Sequence, residues 1–417
     1  MENSISLASY KRLYERKQAD PLNYPKIEID SEAKEYVEKE YKKNLDAVYN
    51  YMDEKYSFDK IKNEKFRSWF IRQQRRIKFQ SSILRHMKGL YYVPVTFELS
   101  DGCSVGCDFC CLEATALKSV FRYTEDNKKL WNEILDVTEE ILGKSAGTGM
   151  CYFATEPFDN PDYQYFIEDH KRKFGYLPQT TTAVAHLKSQ KIKEYMDFLG
   201  EEELRNAALR FSITNLAQLE KIYDIYTEEE LCSVELLMNN KESSNCYSYS
   251  GRARNLKGML KDKQFLENVS SACTNGFIVN MVKKSVMLVS VCIPDELHPK
   301  GMKVLDEKRF IDSNDYRMVL YDFIDKWMYD KLDYNKPVYL EDYITCEWFD
   351  KRLKIKGDNI NRNISIGEEE KEGFKLLLEE HMDGVNILKS VKMTDFSKLR
   401  FKNNIDLFYE SGYLKQF

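Results

Sequence analysis

From Tyr91 to Cys292 short apolar runs of strand length alternate with longer stretches in which apolar residues return every three or four positions. This alternation constrains the fold more than any other feature, because strands separated by helices pair in parallel through βαβ crossovers and need helices on the faces of their sheet. The first strand signal is Val93, Val95, Phe97 and Leu99, ending at Ser100-Asp101-Gly102. Further strands are expected near residues 149–154, 179–184, 209–214, 233–238 and 277–292, and helices near 161–173, 187–199, 216–225 and 255–268. After the first strand, Leu130, Ile134, Val137 and Ile141 fall in helical register, with Thr124 as the expected N-cap and Gly143 as the stop. About six such units predict an α/β fold, a partial barrel over residues 91–292. The runs 277–282 and 285–291, joined by Lys283-Lys284, read as an antiparallel hairpin closing it.

The flanks have a different texture. Residues 1–90 are rich in Lys, Glu, Tyr and Arg, and Val37, Tyr41, Leu45, Val48 and Met52 recur at helical spacing. A second helical stretch over about 63–88 carries Arg67, Arg72, Arg75, Arg76 and Lys78, so residues 1–90 read as a helical N-terminal extension. Such a basic cluster is either a solvated helix face or a place for an acidic peptide segment. Residues 293–333 read as a connecting helical segment. Residues 334–417 read as a small α+β unit with a strand pair within 338–356, a helix near 368–380 and two short helices ending at Gly412-Tyr413-Leu414.

With 417 residues the chain exceeds what one hydrophobic core organises, and 63 Lys+Arg against 68 Asp+Glu leave a formal charge of −5. That balance argues against a nucleic-acid scaffold, which needs a basic excess. No run approaches the roughly 18 apolar residues of a membrane span, and the first residues show no apolar signal core, so a cytoplasmic protein without a membrane partner is expected. In a reducing compartment the ten cysteines point to metal binding or catalysis rather than disulfides.

Three of them stand in Cys103-Ser-Val-Gly-Cys107-Asp-Phe-Cys110, directly after the first strand. Thiolates are soft ligands suited to zinc or iron–sulfur clusters, and three on one compact loop leave a metal position open to a substrate or cofactor. The motif and its place resemble the signature of the radical S-adenosylmethionine superfamily. The resemblance implies that Cys103, Cys107 and Cys110 hold a 4Fe–4S cluster whose open iron binds S-adenosylmethionine. Phe109 matches the aromatic position beside the adenine. Ala154-Thr155-Glu156-Pro157 takes the place of the superfamily's Gly-Gly-Glu-Pro motif, in which the strand edge, here Thr155, and the carboxylate, here Glu156, hold the ammonium group. Thr181, Thr182, Arg210 and Ser212 fall where ribose and carboxylate contacts form, and Glu235 is a weaker candidate of the same kind.

Longer strings narrow the resemblance. Glu98-Leu-Ser-Asp-Gly-Cys-Ser-Val-Gly-Cys-Asp-Phe-Cys, Phe121-Arg-Tyr-Thr, Asp159-Asn-Pro-Asp-Tyr, Gln179-Thr-Thr-Thr-Ala and Gly251-Arg-Ala-Arg are similar to the proteusin-type peptide epimerases, over about residues 95–310. Asp108 stands where that family usually has Trp, and Cys111 where it has a residue other than cysteine. The resemblance implies an isomerase acting on a ribosomally made precursor peptide, with a one-electron reductant such as flavodoxin or ferredoxin as its second partner. An α-hydrogen leaves an L-residue and a thiol returns hydrogen to the opposite face, giving a D-residue. The donor thiol is expected outside the loop, among Cys151, Cys232, Cys246, Cys273, Cys292 and Cys346. Cys292 ranks first because it ends the hairpin and is expected to face the barrel mouth, where sites of such barrels lie, and Cys346 ranks second.

Overall fold

The structure, a computed structural model, describes residues 7–23, 58–80, 92–205, 209–260, 264–267, 270–349, 351–357 and 360–416. The helix expected around Val37 to Met52 and the end of the one expected to reach residue 88 lie outside them. The chain divides into two compact units, one of residues 1–60 and 93–316 and one of residues 61–92 and 317–417.

In the first unit, strand β1 (Val93–Glu98) reads V-P-V-T-F-E and is buried along its length except at Val93. The parallel strands β2 (Thr180–Thr182), β3 (Leu209–Ile213) and β4 (Glu235–Met238) form a sheet in that order, each reached through a helical crossover. Then come β5 (Thr274–Asn280), β6 (Ser285–Val291) and β7 (Met302–Arg309), which join β1 in the order β1-β5-β6-β7. β5 runs parallel to β1, and β6 and β7 are antiparallel to their neighbours. The fold is α/β, as the alternation predicts.

Strands β1 to β7 lie in two sheets, and no closed barrel is found among the described residues. Several expectations are corrected. The strand expected at 149–154 shrinks to one parallel bridge between Thr96 and Met150, because the chain then turns to bring the Ala154 amide to the Glu98 carboxylate. The expected helix over 255–268 is replaced, among the described residues, by a 3₁₀ turn at Gly251–Leu256 and a short strand Phe265–Leu266 beside Tyr247–Ser248. Residues 293–333 contain a strand, β7, before their helix Ser313–Trp327. Its sequence, MKVLDEKR, is mostly charged because it is a largely exposed edge, which hides the alternation that marks a strand.

The helix Glu125–Leu142 follows the sequence closely. Thr124 Oγ1 accepts from the Asn127 amide at 3.4 Å, and Gly143 ends the helix at φ 62°. Its Trp131 meets Phe97 of β1 edge-to-face at 5.0 Å and Phe166 of the helix Tyr163–Phe174 at 5.6 Å. Fully buried rings of this kind cost about 3–5 kcal/mol each when truncated to alanine, so this cluster fixes β1 against its helices.

The second unit has a three-stranded antiparallel sheet of Thr345–Phe349, Arg352–Gly357 and Ile360–Ser365, followed by the helices Glu368–Leu378, Gly384–Ser390 and Asp395–Glu410. Leu353 and Ile355 from the sheet pack with Phe374, Ile387, Phe401 and Phe408 from the helices. The third strand, INRNIS, escapes notice in the sequence because it is an edge with mostly polar, exposed residues. The helix Glu64–Gln80 also belongs to this unit. Its basic cluster is not a free surface: Arg72 is buried, bonded to the Tyr329 carbonyl and lying 4.3 Å over the Tyr409 ring, Arg76 is buried, and Arg75 bonds the Glu410 carbonyl.

Candidate active site

The cysteine loop leaves β1 at Glu98 and is held by segments distant in sequence. Gly102, at φ 92°, lies so close to Ala116 that a Cβ there would stand 2.2 Å from its carbonyl oxygen, which leaves room for glycine alone. Cys103 makes a parallel bridge with Ala116, and its amide donates to the Thr115 carbonyl at 2.9 Å. Asp159 accepts from the Ser104 amide at 2.8 Å and the Ser104 hydroxyl at 2.6 Å. Asn160 Nδ2 donates to Leu99 O at 3.0 Å and Phe121 O at 2.7 Å, and Asp162 accepts from Arg122 and from the Tyr123 amide. The strings at 121–124 and 159–163 are therefore the staples of this loop.

The three thiols lie close enough for their charges to interact. Burial, then the neighbouring Cys103 and Cys110, push the Cys107 thiol up to about 12, and burial raises Cys103. Three ionised thiols here would repel one another in a poorly solvated place, so a cationic cluster or metal is the natural counter-charge, and the soft donor set fits iron–sulfur ligation. Among the described residues, no three His, Cys, Asp or Glu side chains stand converged as a ready-made metal site.

Glu156 is buried and caps the turn Pro157–Asp159. Its carboxylate accepts from Thr182 Oγ1 at 2.6 Å, the Ala183 amide at 2.9 Å and the Phe158 amide at 3.3 Å. All three donors are neutral, and burial outweighs them, raising the carboxyl to about 7. Thr155, half-buried, precedes it. Glu98, at the end of β1, is a second buried carboxylate: it accepts from the Ala154 amide at 3.3 Å and from Asn280 Nδ2 at 2.8 Å, and burial raises it. The sequence strings include Glu98 without assigning it a role; the signal was its place as the last residue before the loop.

The sheet β2-β3-β4 arranges other candidates by register. Thr181 pairs with Arg210 and Arg210 with Glu235, which puts the three in one row on the half-buried face. Arg210 forms an ion pair with Glu235, and Thr181 Oγ1 accepts from Tyr152. Ser212 is on the same face, where its hydroxyl accepts from Asn239 at 3.4 Å. Thr182 points to the opposite, buried face and to Glu156. Phe109 stacks on Tyr247 at 5.6 Å, within a small cluster that includes Cys111 and Phe265.

The ranked thiols are placed otherwise than expected. β6 is antiparallel to β5, with Ser285 opposite Asn280 and Val289 opposite Gly276. Cys292 therefore follows β6 at the edge where β1 and β5 begin, the far end of the sheet from Glu98 and Asn280, and it is buried. Its expected place at the mouth, where the strands β1 and β5 end, is corrected by that strand direction. Cys346 lies on the first strand of the second unit's three-stranded sheet, packed partly against that unit's core, where burial raises its thiol to about 11. Cys151 is buried, and Cys232 and Cys246 are exposed. Cys273, just before β5, is exposed, its Sγ lies 3.2 Å from Ser271 O, and it is within electrostatic reach of Arg210 and Cys111.

No protein-family model matches the chain. It is 31% identical over 350 residues to the uncharacterized protein y4wI of Sinorhizobium fredii (strain NBRC 101917 / NGR234), covering 80% of this chain and 67% of that protein. The chain belongs to the same family as y4wI. Among solved structures, BtrN in complex with AdoMet and 2-DOIA is similar over 47% of this chain and 72% of its own, at 15% identity and a TM-score of 0.30. No described helix is long and apolar enough to cross a membrane.

Proposed function

We propose that the chain is a radical S-adenosylmethionine enzyme that epimerises residues of a ribosomally made precursor peptide. The observation that carries the reading is the trio Cys103, Cys107 and Cys110 on a stapled loop that continues strand β1, in the spacing that the superfamily uses. Those three residues would hold the 4Fe–4S cluster. With S-adenosylmethionine, a reduced cluster of this kind supplies a 5′-deoxyadenosyl radical. Glu156, buried among neutral donors, has no cationic partner among the described residues and would take the ammonium group of the bound cofactor, with Thr182 fixing its orientation. Thr181, Arg210, Ser212 and Glu235 offer a polar row on one half-buried face for the cofactor's ribose and carboxylate. A thiol outside the loop returns hydrogen to the peptide α-carbon, with Cys273, Cys292 and Cys346 the residues to compare.

The second unit would recognise the precursor. Its three-stranded sheet ends at Ile360–Ser365, whose outer edge has no strand partner among the described residues, and an extended peptide can add there through main-chain hydrogen bonds. A reduced flavodoxin or ferredoxin would deliver the electron.

The deciding experiment is anaerobic co-expression with a precursor peptide in deuterium oxide, followed by mass and chiral amino-acid analysis. D-residues carrying one deuterium each at the α-carbon are expected. Loss of mass without D-residues would move the chain to another peptide-modifying radical reaction, such as crosslinking or backbone excision. A reconstituted, reduced protein that leaves S-adenosylmethionine intact would point to a non-catalytic iron–sulfur protein.

A further inference from the structure

The run Gly251-Arg252-Ala253-Arg254 lies on the cysteine loop, 141 residues beyond Cys110. Arg252 Nε donates to Cys107 O at 2.9 Å, its Nη1 to Ala114 O at 2.8 Å, and its backbone amide to Cys110 O at 3.0 Å. The loop itself supplies little order between Ser104 and Ala114: Cys110 N to Cys107 O and Glu113 N to Cys110 O, each at 3.2 Å, are its internal main-chain bonds. A planar guanidinium holds its donors in a fixed fork, so it can fix two carbonyls seven residues apart in one geometry. Gly251 makes this approach possible. It has φ 51°, and a Cβ there would stand 2.4 Å from Cys111 O and 2.6 Å from Cys110 O. The other side of the turn is anchored as well, with Gly251 N bonded to Pro299 O at 2.7 Å and Arg254 Nη1 to Asp295 O at 2.9 Å.

We propose that Arg252 is the positioning residue of the cysteine loop: it sets Cys107 and Cys110 in the folded chain before any metal arrives, and so governs how firmly the loop keeps a cluster. The inference rests on reading the three cysteines as cluster ligands. Its physical basis is twofold. The clamp removes conformational freedom that the loop would otherwise lose on binding the metal, and it places a permanent positive charge at the carbonyls of Cys107 and Ala114, beside thiolates that bring negative charge.

Two measurements on the full chain test it. In the metal-free protein, alkylation of Cys107 and Cys110 by iodoacetamide is followed by peptide mass analysis, with the exposed Cys232 and Cys246 as internal references. In the protein reconstituted with iron and sulfide, metal content and the rate of iron loss to a chelator are recorded. Arg252→Gln should speed alkylation of Cys107 and Cys110 but not of the references, and should weaken metal retention by roughly 10–100-fold, the usual effect of removing a group that orients a ligand. Lys257→Gln, which loses a surface pair with Glu267, should leave both unchanged. If Arg252→Gln does not fold, as judged by circular dichroism, Arg252→Lys carries the test, with intermediate effects expected. Alkylation and iron-loss rates equal to wild type would overturn the proposal. A wild-type chain that takes up zinc but no iron and sulfide would instead sink the cluster reading, and the alkylation comparison would still decide the role of Arg252.

Discussion

Thr182 Oγ1 donates to Glu156 Oε1 across 2.6 Å, joining the end of β2 to a turn 26 residues earlier in the chain. Because the residue next to Thr182, Thr181, faces the other side of the sheet toward Tyr152 and Arg210, two adjacent threonines serve two environments. Thr182 shapes the buried carboxyl, and Thr181 belongs to the half-buried polar row.

That burial gives Glu156 a pH signature. In the unfolded chain the carboxyl titrates near its ordinary 4.5, and in the folded chain near about 7. Between these values the folded state binds the extra proton, so this contribution is full below the lower value and is lost as pH rises through the upper one, on the order of 3 kcal/mol in all. Glu156→Gln, neutral throughout, should flatten the fall in stability between about pH 4.5 and about pH 7. Urea unfolding midpoints across that range check it, and parallel pH profiles for the two proteins would refute it.

Replacing Cys103, Cys107 or Cys110 singly with Ala should abolish stable iron and sulfide uptake, because a cubane needs three anchoring thiolates here. Cys111→Ala should leave uptake near wild type, since its Sγ packs toward Phe109 O and Ser248 O and among the aromatic residues beside Phe109. Iron content and visible absorption after anaerobic reconstitution read the outcome. Full uptake by any of the three loop variants removes that residue from the ligand set.

Asn160→Ala should cost about 1–3 kcal/mol, because it strips the buried carbonyls of Leu99 and Phe121 of a shared donor. The loss is expected to appear also as faster cleavage of the cysteine loop in limited proteolysis. A stability change below about 0.5 kcal/mol, within the range of an ordinary surface substitution, would contradict it.

If the precursor peptide adds a strand to the second unit, its binding should slow amide hydrogen exchange along Ile360–Ser365, whose outward amides have no strand partner among the described residues. Exchange that slows elsewhere and not there would move recognition off this edge. Charge reversal at Arg72 and Arg76 should act on stability rather than on peptide affinity, since both side chains are buried.

The parts of this molecule that were legible in the sequence are those with a strong local signal. The helix Glu125–Leu142 declares both its ends through Thr124 and Gly143, and the cysteine loop declares itself by ligand type and spacing. What stayed hidden depends on partners far along the chain. β7 and the strand Ile360–Ser365 are exposed edges whose polar residues carry no clear alternation. Arg72 looks like a solvated charge until Tyr409 and the Tyr329 carbonyl are seen to cover it. Cys292 lies on the side of the sheet opposite to the one expected because a hairpin's second strand returns to the edge its partner starts from, a direction that residue pattern alone does not carry. Arg252 was one residue of a string until its contacts with three carbonyls gave it a job.

Glu98 and its strand partner Asn280 are 182 residues apart. During synthesis β1 and the cysteine loop emerge long before the strand that completes their pairing, and Arg252 also arrives late. Non-local pairing of this kind slows folding, and it leaves three thiols on an unfinished scaffold while more than a third of the chain is still to be made. Metal delivered in that interval meets a loop without its clamp, and metal delivered after β5 has docked meets the finished cradle. The order of folding and loading is thus written into the strand pairing, and expression conditions that separate the two in time should govern how much of the protein is recovered with its cluster.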